Sequence, residues 1–161
     1  MTTHVDYNII VIGAGVLGLA VARALAVQGS TSVLIVEEEM GFGQVTSSRN
    51  SEVIHSGLYY PTESLKAKYC LKGRDRLYAF CHENGVWNSK CGKLVVAQEG
   101  QEDKLESLYQ QAEVNGVPEL KIMDRSEITE LEPEVSAESA IFVGCTGIIS
   151  THELMSAYHR I

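Results

Sequence analysis

The 161-residue sequence predicts an α/β fold that opens with a strand–helix–strand unit. The run YNIIVI (7–12) is short, rich in β-branched residues and almost wholly apolar. This is typical of a strand in a parallel sheet covered on both faces. A glycine-rich turn, an Ala- and Leu-rich helix over 16–28 and a second apolar strand over 32–36 follow. Because these elements fit within about 31 residues, they indicate a right-handed, Rossmann-like βαβ unit.

The rest of the chain alternates helices and strands. The sequence predicts helices over 63–84, 101–115 and 126–131, and strands over 90–97, 120–123 and 140–143. The apolar side of the first of these helices is expected to consist of Leu65, Tyr69, Leu77, Phe80 and Cys81. Ser150 and Glu153 form the S-x-x-E pattern of a capping box that opens a last helix. The irregular stretch over 40–61 is long for a compact domain, which favours a functional loop.

Composition and charge exclude several classes of function. The formal net charge of −8 argues against nucleic acid as the main partner. The four cysteines show neither C-x-x-C pairs nor cysteine–histidine spacings of a zinc site, so no metal site is predicted and buried free thiols are expected. The N-terminal apolar run is too short to span a membrane. We therefore expect a cytoplasmic protein, and peripheral contact with the inner face of a membrane remains open.

The turn after the first strand carries the G-x-G-x-x-G pattern of Gly13, Gly15 and Gly18. Its place between a predicted strand and a predicted helix makes the pattern specific for a dinucleotide. Gly13 permits the tight turn, Gly15 lets a pyrophosphate approach the backbone, and Gly18 allows close helix–strand packing. The free N–H groups and the positive end of the helix dipole favour the phosphates. Glu37, 19 positions after Gly18, can accept hydrogen bonds from ribose hydroxyls and disfavours a 2′-phosphate.

Two further stretches resemble a known family. The runs TSSRNS (46–51) and VIHSGLYYP (53–61) are similar to the D-amino-acid oxidase superfamily of FAD-dependent oxidoreductases. The longer run over 49–86, together with GKLVVA (92–97) and GII (147–149), most resembles its L-2-hydroxyglutarate dehydrogenase/oxidase group. The resemblance extends over nearly the whole chain, is specific over 13–18 and 46–72, and is loose over 98–139. It implies FAD as the cofactor.

The resemblance also implies roles for residues of the irregular stretch. Near the flavin ring it places His55, whose imidazole has a pKa suited to taking a proton from a substrate hydroxyl. A hydrogen-bonded structural histidine, or one that only contacts the flavin, is an equally good interpretation. Arg49 suits phosphate or a substrate carboxylate, or is a surface residue. Tyr59 and Tyr60 fit a substrate pocket or the core equally well. The loop expected to pass the pyrophosphate and flavin consists of Ser47, Ser48, Arg49, Asn50 and Ser51.

The resemblance predicts oxidation of a 2-hydroxy acid, with L-2-hydroxyglutarate to 2-oxoglutarate favoured, and leaves oxygen, a quinone or another molecule as the electron acceptor. A glycerol-3-phosphate or amino-acid oxidoreductase of the same superfamily and a non-catalytic FAD-binding fragment are the alternatives. An NAD-dependent dehydrogenase is disfavoured by residues 46–61. The predicted parts are the N-terminal part of an FAD-binding domain (1–85), part of an α+β substrate domain (86–150) and the start of a helix that leads to a missing C-terminal half (151–161). Since family members are more than twice as long, we expect a truncated chain with little activity alone.

Overall fold

The computed structural model describes residues 6–29 and 32–160. Contacts divide the chain into two compact units. The first comprises residues 1–52, 83–87 and 149–161, and the second comprises 53–82 and 88–148. The borders of these units differ from the domain boundaries predicted after residues 85 and 150. The functional domain boundaries stay a prediction. His4, which the sequence suggests lies in a flexible tail, and Ile161 lie outside the described residues.

Eight strands, five α-helices and one 3₁₀ turn (Thr46–Ser48) form in the described part of the chain. The strands are β1 (Ile9–Ile12), β2 (Val33–Val36), β3 (Val53–Ile54), β4 (Asn88–Ser89), β5 (Leu94–Ala97), β6 (Leu120–Asp124), β7 (Ser139–Val143) and β8 (Gly147–Ile149). The helices are α1 (Val16–Val27), α2 (Leu65–Asn84), α3 (Glu102–Val114), α4 (Arg125–Leu131) and α5 (Thr151–His159).

The first unit contains the predicted βαβ arrangement. β1 and β2 are parallel, with Ile9 opposite Val33 and Ile12 opposite Val36. α1 connects them and packs against β2 and α5. A small core joins Ala14 and Leu19 at the start of α1 to Met155 of α5. The N-terminus of α1 therefore lies at the carboxyl ends of the two parallel strands, where ligands bind in sheets of this type.

The second unit contains two small sheets. β7 lies between β5 and β6 in an antiparallel sheet, and β8 lies between β3 and β4 in the other. The sequence of α3 places Leu105, Leu108, Tyr109 and Ala112 at i, i+3, i+4 and i+7, a spacing that predicts one apolar face. Of these, Leu105 and Ala112 are buried where α3 packs on the β5–β7–β6 sheet. None of the helices in the described ranges is both long and apolar enough to cross a membrane.

The observed structure corrects the predictions made from the sequence in several places. The strand predicted over 90–97 begins at Leu94, and the stretch over 40–61 includes the 3₁₀ turn and β3. Leu65 and Tyr69 are exposed, whereas Cys81 is buried as predicted, and α2 also buries Ala67 and Arg74. Of the four cysteines, which are free, two are buried, Cys70 is half-buried and Cys91 is exposed. The prediction that the thiols are buried is therefore wrong for Cys91.

Candidate functional site: the N-terminus of α1

The glycines of the G-x-G-x-x-G turn build a close-packed cradle. Gly13 has φ +95, a left-handed conformation that favours glycine. A Cβ at Gly18 would overlap the carbonyl oxygen of Gly13, so α1 packs directly on the turn. A Cβ at Gly15 would come within 2.9 Å of the Ser47 Oγ atom. The three positions therefore require glycine for the turn, the packing and the approach of Ser47.

Glu37, directly after β2, braces this turn. Its carboxylate accepts the Ala14 N–H at 2.5 Å and the N–H groups of Glu38 and Glu39 at 3.0 and 3.1 Å. These backbone hydrogen bonds, chiefly from Glu39 and then Ala14, hold the pKa of Glu37 below its usual range. A carboxylate offers about four lone-pair sites. With three in use, Glu37 fixes the turn and retains an acceptor for a ribose hydroxyl.

The loop after β2 returns to the start of α1. Gly43 donates its N–H to the Ala14 carbonyl at 3.0 Å. Ser47 Oγ accepts the Val16 N–H, the first of α1, at 3.0 Å and so keeps its own hydroxyl proton free to donate. A cleft of about 200 Å³ lies between the turn and this loop, lined among others by Gly15, Glu37 and Ser47.

This donor set fits the diphosphate and ribose of a dinucleotide. The first N–H groups of an α-helix have no acceptor within the helix, and the positive end of its dipole attracts phosphate. The Ser47 hydroxyl adds a donor and Glu37 an acceptor beside them. Five of the predicted cofactor residues, namely Gly13, Gly15, Gly18, Glu37 and Ser47, therefore come together around this helix N-terminus.

The other predicted loop residues have different surroundings. Ser48 donates its hydroxyl to the carbonyls of Gln44 and Val45, and is thereby used within the loop. Arg49 and Ser51 are exposed, and Arg49 makes no salt bridge within the described residues. Asn50 donates to the Ser47 carbonyl at 2.8 Å. Cofactor contacts of Ser48, Arg49, Asn50 and Ser51 stay a prediction.

A hydrogen-bond network that the sequence did not reveal ties this loop to α5. Glu52 accepts both the N–H and the hydroxyl of Thr151, each at 2.9 Å, and these bonds lower the pKa of Glu52. Asn50 links the two, because it donates to the Thr151 hydroxyl and accepts the Glu52 N–H. Glu52 adopts φ +55, an uncommon conformation for glutamate. No local signal connects positions 99 residues apart.

His55, the predicted catalytic residue, lies in the second unit directly after β3. The residue is exposed. Partial burial of the imidazole lowers its pKa below 6.5, and the nearby positive charge of Lys93 acts in the same direction. The neutral form, which can accept a proton, is therefore favoured near neutral pH. No group of three or more side chains in the described part of the chain could hold a metal ion.

Comparison with known proteins shows what the chain is similar to in sequence. The family model of FAD dependent oxidoreductase (DAO) matches residues 8–161. L-2-hydroxyglutarate dehydrogenase of Arabidopsis thaliana is 46% identical over 147 residues, which is 91% of the chain and 30% of that protein. The human enzyme is 38% identical over 95% of the chain and 34% of its own length. The chain thus spans about a third of the length of the curated relatives it matches.

Solved structures share the fold. An L-α-glycerophosphate oxidase of Mycoplasma pneumoniae with FAD bound has a TM-score of 0.87 and 26% identity, and the match covers 94% of the chain and 41% of that protein. Glycine oxidase of Geobacillus kaustophilus has a TM-score of 0.80 at 22% identity, again over 94% of the chain and over 43% of its own. The α/β fold predicted from the sequence is confirmed by these matches.

Proposed function

Because the chain belongs to the DAO family of FAD-dependent oxidoreductases, we propose that it is part of an enzyme that oxidises a 2-hydroxy acid, most specifically L-2-hydroxyglutarate to 2-oxoglutarate. The observation that carries this proposal is the identity of 34–46% with L-2-hydroxyglutarate dehydrogenases over almost the whole chain. The predicted class of activity, oxidation of a CH–OH donor with FAD, follows from the same relatives.

The residues around the N-terminus of α1 would hold the cofactor. The glycine turn and the helix N–H groups suit the pyrophosphate, the Ser47 hydroxyl can donate to it, and Glu37 suits the adenosine ribose. When bound, FAD supplies the acceptor for the hydride that leaves the substrate carbon. The protein's task at this end is to hold the pyrophosphate in a fixed position on a rigid turn.

His55 would take the proton of the substrate hydroxyl. Its lowered pKa keeps the imidazole neutral near pH 7, as a general base must be. Such assistance contributes roughly 10²–10⁴-fold to a rate. The electrons would then pass to oxygen or a quinone, and a quinone acceptor would require contact with a membrane surface.

A glycerol-3-phosphate oxidase is the second candidate function. The solved structure of a glycerophosphate oxidase, at a TM-score of 0.87 and 26% identity, favours it over an amino-acid oxidoreductase. Phosphate and carboxylate substrates make different demands on the site, so a comparison of substrates separates the two functions. A non-catalytic FAD-binding protein, the remaining alternative expected from the sequence, is distinguished from both by the absence of turnover.

Anaerobic reduction of the flavin tests the proposal. The protein is prepared as its gene encodes it, loaded with FAD and mixed with L-2-hydroxyglutarate, glycerol 3-phosphate or an amino acid. We expect only L-2-hydroxyglutarate to bleach the visible flavin absorbance. His55→Gln should slow the bleaching roughly 10²–10⁴-fold. His82→Gln, at an exposed position of α2, is the matched control and should bleach at the wild-type rate. Bleaching by glycerol 3-phosphate alone would favour the glycerol-3-phosphate oxidase. The absence of bleaching by every substrate would favour a non-catalytic FAD-binding protein.

A further inference from the structure

Lys93 differs from the other lysines of the chain. All seven lysines lie in the described ranges; six are exposed and Lys93 alone is half-buried. Lys90 and Lys121 each pair with a glutamate. No described carboxylate forms a salt bridge with Lys93, although acidic residues outnumber basic ones by 21 to 13. A half-buried lysine whose ammonium has no carboxylate partner among the described residues is a candidate binding group for an anion.

The ammonium is held in place by an aromatic ring and by its backbone. Its Nζ atom lies 4.3 Å from the centre of the Tyr59 ring, within the range of a cation–π interaction. The Gly92 N–H donates to the Thr146 carbonyl at 2.9 Å, and the Lys93 carbonyl accepts the Val143 N–H at 2.8 Å. Lys93 therefore extends from the fixed start of β5 toward Tyr59.

The segment that carries Tyr59 also carries His55. Ile54, Ser56 and Leu58 are buried, whereas the side chains of His55 and Tyr59 are exposed. The Leu58 N–H donates to the Ser56 hydroxyl at 3.4 Å, which helps to fix the segment. The charge of Lys93 acts on the imidazole of His55, as the lowered pKa of His55 reflects. The His55 imidazole, the Tyr59 ring and the Lys93 ammonium thus belong to one surface of the second unit.

We propose that the Lys93 ammonium binds a carboxylate group of the substrate beside His55, with the Tyr59 ring holding the ammonium in position. The inference rests on the proposed function, since a 2-hydroxy acid carries a carboxylate next to the hydroxyl that is oxidised. The net charge of −8 gives a dianionic substrate no general attraction to the chain, so a local cation favours its binding. Lys93 is the cation of the His55 surface that has no carboxylate partner among the described residues.

Binding of a substrate analogue tests this inference independently of turnover. Glutarate has both carboxylates of 2-hydroxyglutarate but no hydroxyl to oxidise, and calorimetric titration of the FAD-loaded protein measures its dissociation constant. A charge-assisted hydrogen bond predicts that Lys93→Met weakens glutarate binding roughly 10- to 100-fold. Lys93→Arg, which keeps the charge, should restore most of the affinity. Lys104→Met, at an exposed position of α3, is the matched control and should bind like the wild type.

The readouts separate this inference from the proposed function. FAD content should stay unchanged in Lys93→Met, and KM for L-2-hydroxyglutarate should rise by the same factor as the glutarate dissociation constant. Unchanged glutarate binding in Lys93→Met, with normal turnover by the wild type, would overturn the inference alone. Weakened glutarate binding with no oxidation of L-2-hydroxyglutarate by the wild type would overturn the proposed function alone. A wild type that neither binds glutarate nor oxidises the hydroxy acid would overturn both.

Discussion

At the scale of the residue, the geometry of the cofactor cradle depends on the absence of side-chain atoms. A Cβ at Gly18 would overlap the Gly13 carbonyl, so Gly18→Ala must push α1 away from the turn. We expect a loss of about 1–3 kcal/mol of stability from the overpacking, together with weaker FAD binding. Urea denaturation and FAD titration measure the two effects.

Gly73→Ala is the control for that substitution. Gly73 lies in α2, and nothing occupies the 4 Å around the Cβ that alanine would add. Alanine favours the helix over glycine by roughly 0.5–1 kcal/mol, so this variant should be slightly more stable and bind FAD normally. Equal stability of the Gly18→Ala and Gly73→Ala variants would contradict the close packing at Gly18.

The sequence predicted the roles of Gly13, Gly15 and Gly18 because each has a steric task within a few residues of the others. It also predicted Glu37, which follows an apolar strand at a fixed spacing from Gly18. Glu52 and Thr151 could not be predicted, since their contact depends on how α5 meets the loop. In the sequence, Lys93 is only one residue of the run GKLVVA (92–97), which resembles the family. Its cation–π contact with Tyr59 depends on the folded positions of β3 and β5.

At the scale of the element, α4 begins with a complete capping box. The Asp124 carboxylate accepts the Glu127 N–H at 2.9 Å, and the Glu127 side chain accepts the Asp124 N–H at 3.1 Å. Removal of an N-cap side chain usually costs 0.5–2 kcal/mol, so we expect Asp124→Ala to lose about 1 kcal/mol. Asp124→Asn, which retains an acceptor, should lose much less. Chemical denaturation of both variants measures the difference, and equal losses would contradict the capping role.

The capping box predicted at the start of α5 is only half formed. Ser150 accepts the Glu153 N–H at 3.3 Å, as predicted. The Glu153 carboxylate, however, accepts the Trp87 N–H at 2.7 Å, and the Ser150 N–H donates to the Trp87 carbonyl at 3.0 Å. A distant backbone segment thus provides the second partner. The local pattern identified the helix start and could not identify a competitor that the fold brings in.

Long helices were predicted with small errors at their ends, whereas the two- or three-residue strands β3, β4 and β8 were missed. Strands this short show no alternation, and β3 pairs with a partner almost a hundred residues away. The exposure of Leu65 and Tyr69 has a similar origin. The small residue Ala67 and the charged Arg74 take the buried side of α2, with Arg74 bonded to Asp75 and Cys145.

At the scale of the whole molecule, acid should destabilise the protein over a defined range. The pKa of His55 is lowered from 6.5, so below pH 6.5 the unfolded chain binds more protons there than the folded protein. The pKa values of Glu37 and Glu52 are lowered from 4.5, so the stability they contribute is present above pH 4.5 and is lost as the pH falls through their folded values.

The melting temperature should therefore decrease steadily from pH 7 toward pH 4 and below. Glu52→Gln removes one titrating group while keeping an acceptor for Thr151, and should make the decrease at the acidic end shallower. Calorimetric melts at stepwise pH measure both curves. A melting temperature that is constant or rises on acidification would contradict the assignment of these hydrogen bonds.

The most direct test of FAD binding at the N-terminus of α1 is the flavin content of the protein and of two glycine variants. The protein is produced as its gene encodes it and purified without added cofactor, and the flavin released on denaturation is measured by its visible spectrum. FAD at about 100 times its dissociation constant adds about 2.7 kcal/mol of stability, so a melt with and without FAD detects binding in a preparation that has lost its cofactor.

We expect the wild type and Gly73→Ala to contain FAD or to be stabilised by it. Gly15→Val should contain none and be indifferent to added FAD, because its side chain collides with Ser47 and occupies the approach to the helix N-terminus. Gly15→Val that retains wild-type FAD content, or a wild type that is colourless and unaffected by FAD, would contradict the binding of FAD at this cradle.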